Sequence, residues 1–319
     1  MITVMDYRPL VSIIIPVYKG ANYMRIAIDS ALAQTYENTE VIVVNDGSPD
    51  DGASEEIALS YGDRIRYFKK ENGGCASALN FGISKMRGEW FSWLSHDDVY
   101  EHNKIERELA CVTANQLNPH NTIISCEAKI IDENGEEISH PSAKDIGFYS
   151  SDSFVKRVLF GSSLNGCGLL IPKDVICRVG EFSAGLKFIL DKEYWIRAAL
   201  SGADLYRIGN EQLVMNRVHR AQVTVREAGS YAEETAKVAD ALFDKVVSDG
   251  RTEVIKDFYV YSVINKQREL GKRYKGELRS RDAFGIKLAM YAGILRMKKQ
   301  LRGIAAKLYW KIVRNRKNG

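Results

Sequence analysis

The chain has 319 residues, of which 45% are hydrophobic and 27% charged, with only six prolines. It is long enough to bury a full core plus an appendage, which excludes a disordered or fibrous chain. The net charge of +4 is uneven: residues 283 to 319 carry ten Lys and Arg and no acid, leaving 35 basic against 41 acidic residues before them, so the basicity belongs to the tail.

No stretch approaches the roughly 20 apolar residues of a bilayer span, and MITVMDYRPL lacks the basic and apolar regions of a signal peptide, so a cytoplasmic location is expected. Cys75, Cys111, Cys126, Cys167 and Cys177 are odd in number and too scattered for a zinc or redox spacing, and read as reduced thiols. Three apolar runs of strand length each enter a polar turn: VSIII into PVYKG (Val11 to Gly20), EVIVV into NDGS (Glu40 to Ser48) and WFSWL into HDD (Trp90 to Asp98). Helical patterns fall at Tyr23 to Ala33, Gly52 to Ser60 and Cys75 to Met86, with a short strand at Ile65 to Phe68. This alternation predicts right-handed parallel crossovers, an α/β fold whose strand ends converge on one ligand.

Beyond residue 100 the rhythm changes. Asn103 with Glu106 reads as a capping box opening a helix through Val112. Thr122 to Ile131 alternates as a strand, and Asp132-Glu133-Asn134-Gly135 reads as a hairpin turn, so the second half is mixed. From Tyr231 the pattern is helical to the end, broken by Gly250, Gly271, Gly276 and Gly303.

Each turn has a chemical and a structural reading. Pro16-Val17-Tyr18 offers a ring on which a base stacks, or simply closes a strand. Asp46 offers a carboxylate to the imino hydrogen of uracil, or makes an Asx turn. Ser95-His96-Asp97-Asp98 places two carboxylates after a buried aromatic strand, where a divalent cation bridging to a diphosphate would neutralise them.

With these turns the chain resembles the family 2 glycosyltransferases of the GT-A fold, inverting enzymes that use nucleotide-diphosphate sugars, over about residues 10 to 225. The block VSIIIPVYKGANYMRIAIDSALAQTYENTEVIVVNDGSPD carries most of the likeness. The resemblance implies a mostly parallel, Rossmann-like central sheet flanked by helices, with a catalytic domain over 1–227 and a C-terminal helical region over 228–319. Within the catalytic domain, 1–100 would bind the nucleotide sugar and 101–227 the acceptor. It implies that Pro16, Val17 and Tyr18 hold the base, that Asp46 binds uracil, and that the Glu71 to Asn80 segment, with Gly73 and Asn80, flanks the diphosphate. Ser95-His96-Asp97 stands in place of the DXD motif, with Mn2+ or Mg2+ on Asp97, Asp98 and His219.

LDKEYWIRAAL (Leu190 to Leu200) matches the block in which Asp191 is the general base and Trp195 and Arg197 follow at fixed spacing; Gly166, Cys167 and Trp195 are the implied acceptor residues. Two positions depart from the pattern: Ser95 replaces the first Asp, and Leu79 stands where many members have an Arg, with Lys69, Lys70, Arg217 or His219 as substitutes for the lost charge. The expected activity is transfer from a UDP-sugar to a saccharide acceptor, lipid-carried as in bacterial capsule or O-antigen assembly; the competing reading is a catalytically silent nucleotide-sugar binder. The tail repeats apolar residues from Met290 to Ile312 at spacings of three and four, among Lys and Arg, with Tyr309 and Trp310. That pattern suits either a peripheral helix on the cytoplasmic face of the inner membrane or a helix docked on the catalytic domain, and no nucleic-acid module accompanies it.

Overall fold

The computed structural model describes residues 7–140, 145–161, 164–220, 222 and 231–317. In chain order the elements are β1 (Val11–Val17), α1 (Met24–Leu32), β2 (Thr39–Asp46), α2 (Ala53–Leu59), β3 (Arg66–Lys70), α3 (Cys75–Lys85), β4 (Trp90–Trp93), β5 (Val99–Tyr100), α4 (Lys104–Ala114), β6 (Thr122–Ile131), β7 (Glu137–Ser139), β8 (Gly147–Tyr149) and α5 (Ser151–Phe160). There follow β9 (Leu169–Pro172), α6 (Lys173–Val179), α7 (Leu190–Leu200), β10 (Asp204–Arg217), α8 (Tyr231–Ala241), α9 (Phe243–Asp249), α10 (Thr252–Ile264), α11 (Arg268–Ser280) and α12 (Ile286–Lys317).

Every residue of β1 is buried, as a strand covered on both faces requires, and β-branched side chains dominate it. It pairs in parallel with β2 and β4, and β2 pairs in parallel with β3. Pro16 is tolerated in this central strand because pairing with β4 ends at Ile14, so the missing N–H breaks no bond on that side. The sheet order is β3-β2-β1-β4-β9-β6-β10-β5, with β7 on β6 and β8 on β10. β9 runs antiparallel to both β4 and β6, and β10 runs parallel to β6. Two reversals restore the direction, so β6 and β10 end at the same sheet edge as β1, β2 and β4, and that edge receives the polar turns.

Strand β4, which delivers the third turn, rests on a buried ion pair. The Lys104 ammonium donates to Glu108 at 2.7 Å and to Ser92 at 3.3 Å and lies 4.4 Å from the Tyr100 ring centre, with both charged side chains fully buried. Two local expectations differ from the structure. Asn103 precedes α4 without a side-chain cap, and Glu106, instead of closing a capping box, accepts from the Thr35 hydroxyl at 2.5 Å. Gly271, Gly276 and Gly303 lie inside helices; of the four glycines named, only Gly250, with φ of +81°, ends one.

The chain divides into two compact units: residues 1–158 with 162–234, and residues 159–161 with 235–319. The sheet and all the turns described below belong to the first, while α9 to α12 belong to the second. No helix among the described residues is long and apolar enough to cross a membrane.

Candidate active site

The first turn is sewn to the second. Lys19 N–H donates to Ser48 Oγ at 3.0 Å and Gly20 N–H to Ser54 Oγ at 3.1 Å. A Cβ on Gly20 would lie 2.7 Å from Val17 and 2.9 Å from the His96 ring, so only glycine fits there. Pro16 and Val17 are buried at the end of β1, whereas Tyr18 is 43% exposed, with the Lys19 ammonium 5.7 Å from its ring centre. Asp46 is buried and already bonded: Oδ1 accepts from Lys70 Nζ at 2.7 Å and from Gly73 N–H at 3.0 Å, and Oδ2 accepts from Gly74 N–H at 2.7 Å. A carboxylate offers about four acceptor positions, and three of those of Asp46 are taken by the protein.

The third turn separates two carboxylates that the sequence places side by side. Asp97 Oδ2 lies 3.0 Å from His219 Nε2 and accepts from Gln222 Nε2 at 3.0 Å. Burial works to raise the Asp97 carboxyl, but His96, Gln222 and His219 outweigh it and hold the group below the ordinary carboxylate range. Asp98 points the other way. Its oxygens accept from Arg217 N–H and Asn216 Nδ2, each at 2.9 Å, and from the Cys167 thiol at 3.2 Å. Burial, then the charge of Asp97, pushes the Asp98 carboxyl up to about 7. The geometry therefore makes Asp98 a brace between β4 and the end of β10 rather than a metal ligand. His96 sits under the first turn, where burial pulls its imidazole below the ordinary value and Pro16 supplies a carbonyl partner.

Ser95 is also turned inward: its N–H and hydroxyl each lie 3.3 Å from Cys167 Sγ. The Gly166 Cα faces the Trp93 ring so closely that a Cβ would approach to 2.5 Å, and Cys167 is buried. Neither residue presents a surface to an acceptor, which corrects the expectation for both. Trp195 is buried too, edge-on to Phe182 and Tyr194, so the spacing with Asp191 is real but the ring fills the core. Asn80 donates to Phe182 carbonyl at 2.9 Å and accepts Phe182 N–H at 2.8 Å, tying α3 to the segment before α7 instead of facing a diphosphate.

Asp191 lies within the first turn of α7, one residue past Leu190, and does not cap the helix. Burial pushes its carboxyl up to about 6, opposed by the Lys192 N–H that it accepts at 2.7 Å. The approach to this helix is held by a residue that sequence reasoning missed. Glu234 accepts the N–H groups of Lys187, Phe188 and Ile189 at 2.8, 2.7 and 2.9 Å. Successive free N–H groups before a helix attract a carboxylate, but nothing local in the sequence singles out one 43 residues downstream of Asp191. Gln222, an uncharged side chain three residues after His219, was likewise missed; its neighbours Ala221, Val223 and Thr224 lie outside the described residues.

Desolvation, and then the charges of Asp46, Asp191 and Asp97, raise the thiol of Cys75, the exposed first residue of α3, so all three carboxylates are felt at the start of that helix. The cations proposed to replace an Arg at Leu79 are engaged elsewhere. Lys69 pairs with Glu55 at 2.6 Å and Lys70 with Asp46. Arg217 donates to the carbonyls of Asp97, Asp132 and Glu133. Leu79 itself is fully buried.

Comparison with known proteins fits this arrangement. Residues 12–149 match the family Glycosyl transferase family 2. An uncharacterized glycosyltransferase of Rickettsia typhi is 50% identical over 220 residues, covering 68% of this chain and 67% of the relative. One of Rickettsia felis is 51% identical over 191 residues, where the match spans 60% of this chain and 31% of the longer relative. Among solved structures, S. aureus TarS 1-349 in complex with UDP-GlcNAc superposes with a TM-score of 0.60 at 14% identity, covering 91% of this chain and 92% of that one, which places the present chain in the same GT-A fold. The chain belongs to glycosyltransferase family 2.

Proposed function

We propose that the protein transfers a sugar, with inversion, from a UDP-sugar to a saccharide acceptor in bacterial surface polysaccharide assembly. The observation that carries this reading is the delivery of Tyr18, Asp46 and the Asp97–His219 pair, whose side chains lie 3.0 Å apart, to one edge of the sheet by the parallel strands β1, β2, β4 and β10. Tyr18 is exposed where β1 ends and would stack on the base, and Asp46, at the end of the neighbouring β2, would accept the imide N–H of uracil. TarS, which shares the fold, binds UDP-GlcNAc and UDP.

The donor set at Asp97 fits a hard divalent ion. One ionised carboxylate and one imidazole 3.0 Å away, both nearly buried, suit Mn2+ and, less well, Mg2+, each of which takes its remaining ligands from diphosphate and water. Asp97 and His219 would hold it, with Gln222 steadying the carboxylate. The ion would supply neutralisation of the departing diphosphate.

Asp191 has the properties of a general base. A carboxylate desolvated to a pKa of about 6 is ionised at neutral pH yet more basic than an ordinary aspartate. As the acceptor oxygen bonds to the anomeric carbon, its proton passes to Asp191, and the carbon–oxygen bond to the diphosphate breaks with the electron pair leaving on UDP. A silent binder has no use for a desolvated carboxylate at this place. An acceptor carried on a membrane lipid would set the work at the cytoplasmic face of the inner membrane.

A donor screen tests the proposal: release of UDP from each common UDP-sugar, with and without Mn2+ and with oligosaccharide acceptors. Release with at least one donor, dependent on Asp191, is expected. Tight UDP binding without turnover of any donor would instead support the silent binder.

A further inference from the structure

The second compact unit carries a face that the sugar-transfer reading does not use. Helix α12 is 32 residues long and packs against α10. The side that packs is narrow: Ala292 is fully buried, Leu288 and Leu295 are half-buried, and Lys299 Nζ donates to Asn265 at 2.8 Å. The longer apolar stripe of the sequence is not that side. Ile286, Met290, Ile294, Met297 and Leu301 are each between 42% and 79% exposed. At about 100° per residue these five fall within roughly a quarter of the helix circumference, on the side turned away from Ala292. Within its own unit α12 buries its sparser face against α10 and leaves this stripe uncovered.

Charge identifies the occupant. On the same helical projection Lys287 and Lys298 flank one margin of the stripe, Gly293, Gln300 and Ala289 line the other with Arg296 beyond them, and no acid occurs anywhere from residue 283 to 319. An apolar strip with cations along one margin and no acid on the helix complements an anionic lipid surface, into which the apolar side chains enter while the ammonium groups reach the headgroups. The continuation of the stripe through Ile304, Leu308 and Ile312, with Tyr309 and Trp310, lies outside the described side chains. We infer that the outer face of α12, from Ile286 to Leu301, is a docking surface for anionic membrane, with the helix lying in the plane of the interface.

This inference stands independently of sugar transfer and is tested on the full chain without any donor. The probe is co-sedimentation with vesicles of phosphatidylglycerol and phosphatidylcholine, against phosphatidylcholine alone, at about 50 mM and about 500 mM salt. Two variants accompany the wild type: Met290→Ser with Ile294→Ser, Met297→Ser and Leu301→Ser, and Lys287→Gln with Arg296→Gln and Lys298→Gln. All but Arg296 are exposed positions, so both variants should fold, and circular dichroism checks this.

Expected are sedimentation of the wild type with anionic vesicles only, a loss of about tenfold or more in the serine variant, and weakening in the glutamine variant and at high salt. Failure of the wild type to sediment with anionic vesicles at low salt overturns the inference. So does sedimentation that the serine variant leaves unchanged. A lipid-free dimer that the serine variant converts to monomer would assign the face to a second copy of the chain and overturn the membrane proposal equally.

Discussion

Substituting Asp191 with Asn separates what the fold prefers from what the chemistry needs. Burial raises this carboxyl from 3.8 to about 6. At about 1.4 kcal/mol per pKa unit, keeping it ionised in the folded state costs about 3 kcal/mol, an upper figure because part of the residue reaches solvent. The sign follows from proton binding: the folded state holds the proton more tightly than the unfolded chain. Stability is therefore greatest below the unfolded value, declines as pH rises from about 4 to about 6, and is level above that. Asparagine never ionises and keeps an oxygen to accept Lys192 N–H. Urea unfolding of both proteins should show Asp191→Asn more stable by about 1–3 kcal/mol at pH 8, with the advantage gone near pH 4. The same variant should retain UDP binding while transfer falls by about a hundredfold or more. A variant less stable than wild type at pH 8, or an advantage that does not change with pH, would refute the desolvated carboxylate on which the base assignment rests.

Further outcomes follow from other parts of the site. Wild-type kcat/KM should fall as pH drops below about 6, because protonated Asp191 accepts nothing; a profile flat from pH 5 to 8 speaks against it. Chelator should abolish turnover, and Asp97→Ala should lose activity without unfolding, whereas full activity in EDTA would remove the metal from the account. Glu234→Ala frees three N–H groups before α7 and should lower kcat about tenfold with the donor KM unchanged, partly restored in Glu234→Gln; an equal loss in donor KM would assign Glu234 a different role. Lys104→Met leaves Glu108 buried and uncompensated under β4, so denaturant unfolding should show a loss of about 3–5 kcal/mol, and a change below about 1 kcal/mol would contradict the buried pair.

The parts of this fold set by local pattern were legible in the sequence. β1, β2, β4 and β6 appear as runs of β-branched and aromatic residues, and the turns after the first three mark the edge where the site lies. What sequence could not settle was the direction in which a side chain points once its neighbours are in place. Asp97 and Asp98 are adjacent, yet β10 supplies Arg217 N–H and Asn216 to one while His219 and Gln222 face the other. Trp195 has the expected spacing from Asp191, but Phe182 and Tyr194 enclose its ring. Along α12 the sequence records a stripe of apolar residues without saying which face packs, and the packing face proves to be the small one around Ala292. Single polar residues distant in the chain, such as Gln222 and Glu234, leave no periodic or motif signal.

The most direct measurement is the stereochemistry of one turnover. Proton NMR of the product formed from an α-linked UDP-sugar, read early enough to precede any equilibration, reports the anomeric coupling of the new bond. Displacement assisted by Asp191 from the face opposite the diphosphate predicts a β-linked product with release of UDP, formed about a hundredfold or more slowly by Asp191→Asn. An α-linked product, or a β-linked one formed equally well by the variant, would contradict the mechanism.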